Sequence, residues 1–146
     1  MRYEKILVPL DGSRQAEYIL PQLEAMVKAF DADVTLLHVV ADKHTNGPEP
    51  TRSQKDAGTD ITGYMEHIAE ALRGKKVRCE WQLTHGDPAE EIAKFAATDM
   101  ADLIIMTTHG QGTTKKVRTG SVAMEIISSN QIPVMLVRPP ISILDR

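Results

Sequence analysis

Five short apolar runs alternate with four segments of helical spacing, and this alternation limits the possible folds more than any other property of the chain. The runs are Ile6–Leu10, Asp33–Val40, Lys76–Leu83, Asp102–Thr107 and Pro133–Arg138. Between them, Arg14–Phe30, Ile61–Leu72, Pro88–Thr98 and Thr119–Asn130 carry helical patterns. Strands that alternate with helices predict a parallel sheet with helices on both faces, joined by right-handed crossovers. The third run sets the order. Val77, Cys79, Trp81 and Leu83 alternate strictly with charged or polar residues, so one face is wet and the strand belongs at a sheet edge. The simplest arrangement is then an open five-stranded α/β sheet of order 3-2-1-4-5, in a single domain spanning residues 1–146.

Local signals mark the element ends. Ser13 is placed to cap a helix whose stripe is Ala16, Ile19, Leu20, Leu23, Met26, Val27 and Phe30, and Pro21 inside it is expected to bend it. Residues 41–60 are polar and rich in Gly and Pro, which reads as a flexible loop. Gly86-Asp87-Pro88-Ala89-Glu90 is a helix start, with Asp87 as N-cap, Pro88 in the first position and Glu90 closing a capping box. Pro139-Pro140 prevents extension of the fifth strand.

A chain of 146 residues suffices for one packed core. Its net charge of −3 and pI near 5.9 argue against a nucleic-acid footprint. No apolar run is long enough to span a bilayer, so no membrane partner is expected. Met1–Lys5 leads directly into a strand, with no signal peptide evident. The lone Cys79 suits a reducing cytoplasm, and its place on the apolar side of its strand reads as a small buried hydrophobe.

In doubly wound sheets, ligands bind beyond the carboxyl ends of the strands where the strand order reverses. Here that point lies between the first and fourth strands. The first ends in Asp11-Gly12-Ser13, and the fourth in Thr108-His109-Gly110, after which Gly120-Ser121 opens a helix. Such a strand, glycine loop and helix start can aim backbone N–H groups and a helix dipole at an anion. No acidic residue occurs from Leu103 to Met124, while Lys115, Lys116 and Arg118 do. The glycines alone fit two readings, a phosphate cradle or tight turns with solvated basic side chains. The convergence of both strand ends at one switch point favours a ligand site.

A nucleotide needs an acceptor for base or ribose, a wall for the base and donors for the phosphates. Asp11 supplies an acceptor, or alternatively caps the following helix. Pro9, Val39 and Met106 end their strands at one rim and can wall a base. Gly110, Gly112, Gly120 and Ser121 offer backbone N–H groups and a hydroxyl, and His109 lies beside them. The loop is neither a Walker A sequence nor a dinucleotide fingerprint, because Val122 follows Gly120-Ser121 and Gly110-Gln111-Gly112 lacks its third glycine. The histidines, at 38, 44, 67, 85 and 109, show no metal-ligand spacing. His38, within an apolar strand, reads as a satisfied core histidine. No nucleophile or triad pattern occurs, so no catalytic residue is assigned.

With those residues in view, the chain resembles the universal stress protein family. The resemblance rests on Lys5-Ile-Leu-Val-Pro-Leu-Asp-Gly-Ser13, Leu36-Leu-His-Val39, Gly86-Asp-Pro-Ala-Glu-Glu-Ile92, Thr108-His-Gly110 through Gly120-Ser-Val122, and Pro133-Val-Met-Leu-Val-Arg-Pro139. The family's nucleotide-binding members carry a glycine, two residues, a glycine, nine residues, then glycine followed by serine or threonine. This chain matches from Gly110 onward but has Thr107 in place of the first glycine. There a β-branched side chain is expected either to crowd a phosphate or to donate to it.

The resemblance implies an adenine nucleotide α-hydrolase-like fold that binds ATP, with or without Mg2+, in stress adaptation. The implied binding residues are Pro9, Leu10, Asp11, Ser13, Val39, Met106, Thr107, His109, Gly110, Gly112, Gly120, Ser121 and Val122. It also implies a homodimer through residues 133–138, where Val134-Met-Leu-Val137 makes a uniformly apolar edge strand. The alternative within the family is a dimeric adaptor that binds no nucleotide. A phosphotransfer receiver is excluded because no acceptor Asp ends the third strand and no Lys follows the fifth. A flavin carrier fits poorly with an aromatic content of 4%.

Overall fold

A computed structural model describes residues 3–41, 52–108 and 120–140, with the backbone alone for Gln15 and residues 52–60. The strands are β1 (Lys5–Pro9), β2 (Asp33–Ala41), β3 (Cys79–Gly86), β4 (Leu103–Thr107) and β5 (Val134–Val137). They form one parallel sheet of order β3-β2-β1-β4-β5, as the edge character of the third run predicts. The α-helices are α1 (Leu20–Phe30), α2 (Arg52–Gly74), α3 (Pro88–Thr98) and α4 (Ser121–Ser129).

Right-handed crossovers fix which helix covers which face. The chain lays β2 and then β3 to one side of β1, and α1 and α2 pack on one face. It then returns across the sheet to β4 and β5, so α3 and α4 fall on the other. The strand pleat feeds both cores. Ile6, Val8, Leu36 and Ile105 pack with Leu23 of α1 and with Met65, Ile68 and Leu72 of α2. Leu7, Leu37, Ile104 and Met106 pack with Ala89, Ile92 and Ala96 of α3 and with Ala123 and Ile126 of α4. The buried strands β1 and β4 read as continuous apolar runs because both their faces are covered.

Two expectations need correction. Pro21 does not bend a continuous helix. Its missing N–H and its ring oppose α-helical bonding to the preceding turn. The chain instead makes a 3₁₀ turn over Gln15–Ile19, and α1 starts afresh at Leu20 with Pro21 in its first turn, where no N–H is required. The loop expected over 41–60 is also too long. Ala41 completes β2 and α2 begins at Arg52. The first turns of α2 are polar apart from Ala57 and Gly58, so no apolar stripe announces them. Residues 42–51 lie outside the described set.

At the edge strand, Arg73 Nε donates to the Cys79 carbonyl at 2.9 Å, occupying one edge group. Trp81 Nε1 donates to Glu66 Oε2, and Arg73 holds Glu66 Oε1 at 3.0 Å. Cys79 is buried, and burial pushes its thiol up to about 11, the behaviour of a packing residue rather than a nucleophile. As expected, Asp87 caps α3, accepting the Glu90 N–H at 3.0 Å, with Pro88 beside it in the first turn.

Candidate functional site

The turn after β1 is built from short-range chemistry. Leu10 N–H donates to the Leu37 carbonyl at 2.8 Å, a main-chain bond that carries the β1–β2 pairing one residue beyond Pro9. The chain then reverses over Asp11, Gly12 and Ser13. Asp11 Oδ1 accepts the Ser13 N–H at 2.8 Å, an Asx turn. Ser13 Oγ accepts the Ala16 N–H at 3.2 Å and caps the 3₁₀ turn. Ser13 therefore fills its expected local role, while Asp11 shapes the turn ahead of the helix rather than capping it. Gly12 has φ of +84°, where a side chain would be strained, and a Cβ there would stand 3.4 Å from Ile61 Cδ1 of α2.

The strand register aligns the other candidates. Pro9 pairs with Leu37 and Leu7 with Ile104, so counting two residues on along each strand sets Val39 level with Asp11, and Met106 level with Pro9. Val39 and Met106 both pack into the core beneath α3 and α4, and the pleat of β1 puts Pro9 on that face too. The three wall residues thus share one face of the sheet, the face from which α4 starts.

The start of α4 lies beyond β4. Gly120 is buried, with φ −63° and ψ 156°, and serves as N-cap without a side-chain hydrogen bond. Its N–H donates to the Thr108 carbonyl, and its own carbonyl accepts the Met124 N–H at 3.0 Å. Gly120 thus fastens the helix to the strand end and does not offer its own amide to a ligand. The N–H groups without a carbonyl inside the helix are those of Ser121, Val122 and Ala123. Ser121 is exposed and Val122 packs against the α3/α4 core. Ala123 as a donor is a residue that the sequence reading missed. The signal was available, since the first three amides of any helix lack internal partners.

The pleat of β4 also sets the side on which Thr107 lies. Ile105 faces the α1/α2 core and Met106 the α3/α4 core, so the pleat sends the Thr107 side chain to the α1/α2 side, away from α4. There it is 8% exposed and level with Val137. That side lies across the sheet from the face that α4 covers. His109, Gly110, Gly112 and the basic residues Lys115, Lys116 and Arg118 lie outside the described residues.

Two groups behind the turn were not singled out as part of the site. His38 Nδ1 lies 2.8 Å from the Leu10 carbonyl, which accounts for its place in an apolar strand. The Tyr64 hydroxyl of α2 is buried with no hydrogen-bond partner among the described residues. Its acidity is suppressed first by burial, then by the negative charges of Glu17 and Asp11. Tyr64 lies one helical turn beyond Ile61, the α2 residue nearest Gly12 of that turn. Among the described residues, no cluster of His, Cys, Asp and Glu can hold a metal ion, and no helix is long and apolar enough to cross a membrane. A cleft beside Glu24, Lys28, Asp31 and Lys75 lies at the opposite end of the strands and takes no part in this arrangement.

Comparison with known proteins agrees with this geometry. The model of the universal stress protein family matches residues 2–138. Universal stress protein MJ0531 of Methanocaldococcus jannaschii is 32% identical over 145 residues, covering 94% of this chain and 84% of that protein. The solved structure of MJ0577 from the same organism, the subject of a structure-based assignment of biochemical function, superposes with a TM-score of 0.81 at 30% identity, covering 96% of this chain and 99% of its own. A universal stress protein in complex with cAMP superposes with a TM-score of 0.72 at 16% identity, over 96% of this chain and 100% of its own. One from Archaeoglobus fulgidus in complex with dAMP gives 0.67 at 20%, over 93% and 98%. At those two identities the likeness carries the fold alone. A family match over nearly the whole chain, on a sheet of the expected order, supports one conclusion: the chain belongs to the universal stress protein family.

Proposed function

We propose that this protein binds an adenine nucleotide, ATP, at the carboxyl rim between β1 and β4, and acts as a dimeric, nucleotide-dependent regulator in a cytoplasmic stress response. The reading rests on two unlike features at the sides of a proposed crevice, on the carboxyl rim where β1 and β4 are neighbours. On one side is the Asp11–Ser13 turn; on the other, the start of α4 has three amides that lack partners within the helix. A nucleotide has the matching halves, hydroxyl and amine donors at the nucleoside and acceptor oxygens at the phosphates.

In this assignment Asp11 accepts from the ribose or the base, and Pro9, Val39 and Met106 wall the base. The Ser121, Val122 and Ala123 amides, with the Ser121 hydroxyl, hold phosphate oxygens at the positive end of the α4 dipole. Gly120 holds that helix start in place. His109, Gly110 and Gly112 belong to the same proposed site by sequence, as do Leu10 and Ser13 through the turn they frame. Mg2+, when bound, would offset phosphate charge. Complexes of related folds with cAMP and dAMP support the choice of adenine. The test is to denature purified protein and identify any released nucleotide by chromatography and mass spectrometry, then titrate the emptied protein with ATP. Millimolar or tighter binding is expected. Absence of both co-purified nucleotide and titratable binding would favour the adaptor role instead.

A further inference from the structure

The carbonyl of Leu10 is the last main-chain group before Asp11, and its partner is a side chain. The paired residues of β1 and β2 end at Pro9 and Leu37. A parallel ladder continued by one more step would take the Leu10 carbonyl to the N–H of Val39. The His38 ring takes it, with Nδ1 at 2.8 Å. A carbonyl can only accept, so Nδ1 carries the proton and, in the neutral ring, Nε2 is bare. Leu10 itself is 3% exposed, so this carbonyl would be costly to leave unpaired.

His38 reaches the turn from behind the sheet. Leu36, two residues earlier on β2, faces the α1/α2 core, and Val39 faces the opposite side with the proposed base wall. His38 therefore does not touch a ligand lying against Val39 and Pro9. It controls the peptide plane from which Asp11 departs. That departure must be sharp, because the chain passes directly into the Gly12 backbone at φ +84° and the Asp11–Ser13 bond at 2.8 Å.

We propose that His38 is a positioning residue of the adenine nucleotide site, its Nδ1–H holding the Leu10 carbonyl so that the Asp11 carboxylate faces the crevice. The inference rests on the assignment of Asp11 to the nucleoside. It predicts a dependence on where the donor sits, rather than on size or polarity. His38→Asn places an N–H donor on the same γ branch as Nδ1, whereas His38→Gln places it one bond further out, and His38→Leu has none.

The experiment is calorimetric titration of the wild-type protein and the three variants with Mg2+-ATP, alongside urea unfolding of each. Affinity at least tenfold weaker in His38→Gln and His38→Leu, with His38→Asn within about threefold of wild type, is the expected result. Equal affinities for the Asn and Gln variants would overturn the proposal, and so would nitrogen chemical shifts showing the His38 proton on Nε2. Should His38→Leu fail to fold, the Asn–Gln contrast alone decides. A wild-type protein that binds no adenine nucleotide would remove the underlying site assignment as well, an outcome distinct from binding that ignores His38.

Discussion

Asp11 has two jobs in this reading, and a pair of substitutions separates them. One carboxylate oxygen accepts the Ser13 N–H at 2.8 Å and shapes the turn; in the proposed assignment the carboxylate also accepts from the nucleoside. Asp11→Asn keeps a side-chain oxygen able to make the Asx turn. It should keep folding stability within about 0.5 kcal/mol of wild type. It replaces a charged acceptor with an amide, however, and hydrogen bonds to charged groups contribute about 1.5–3 kcal/mol. At about 1.4 kcal/mol per factor of ten, ATP affinity should fall roughly 10- to 150-fold. Asp11→Ala removes both functions, so it should show the same loss of affinity together with about 0.5–2 kcal/mol of stability, the usual cost of a lost cap. Isothermal titration calorimetry reads the first quantity and urea unfolding followed by Trp81 emission reads the second. If Asp11→Asn binds ATP as tightly as wild type, the carboxylate is not a ligand acceptor and only its turn role survives.

Four other outcomes are expected. Tyr64→Phe removes a buried hydroxyl that has no partner among the described residues and should stabilise the protein by about 1 kcal/mol in urea unfolding; because the folded phenol is raised, wild type alone should also lose stability as pH climbs above about 10, where the unfolded tyrosine ionises. Glu66 is held below the usual glutamate range, first by the Trp81 indole N–H and then by Arg73, so its contribution is present above about pH 4.3 and fades as pH falls through the lowered value; the emission of Trp81, the only tryptophan, should report this change, and Glu66→Gln should abolish it. Thr107→Gly should leave ATP affinity within about threefold while costing about 1–2 kcal/mol of stability, since the lost side chain is buried on the face away from α4; a marked loss of affinity would place the hydroxyl at the phosphates after all. Met135→Lys with Val137→Lys should give monomers in light scattering, because β5 is a half-buried apolar edge and Met124 and Ile127 nearby are about half exposed; a dimer that survives both charges uses another surface.

Elements with a strong period or a strong cap were legible in the sequence. The strict alternation of Val77, Cys79, Trp81 and Leu83 located an edge, and from that edge the whole strand order followed. Asp87-Pro88 marked the start of α3 because both residues act within one turn. What escaped was decided by contacts between distant segments. The use of the Gly120 N–H depends on where the Thr108 carbonyl ends up, twelve residues earlier in sequence. Which way Thr107 points depends on the parity of β4 against its cores, which composition does not reveal. The first turns of α2 carry no apolar stripe, and Pro21 looked interior only because a 3₁₀ turn and a new helix share one continuous pattern. Tyr64 gave no local sign of approaching Asp11, since that approach is made by packing α2 over the turn.

The return of the chain across the sheet has a consequence for how the molecule is assembled. β1, β2 and β3 leave the ribosome as one contiguous half, and β1 then waits with one edge unpaired until β4 is made. The joint is closed by Asp102, whose Oδ2 accepts the N–H groups of Glu4 and Lys5 at 2.9 Å and whose own N–H donates to the Lys5 carbonyl at 2.8 Å, across a separation of 97 to 98 residues. Contacts of such range form late. The proposed crevice lies at the other end of this same seam, with Asp11 contributed by the early half and α4 by the late half. A ligand that grips both sides binds only after the halves have joined, and at a hundred times its dissociation constant it deepens the native state by about 2.7 kcal/mol. Under the proposed assignment, nucleotide therefore weights the balance toward the completed fold.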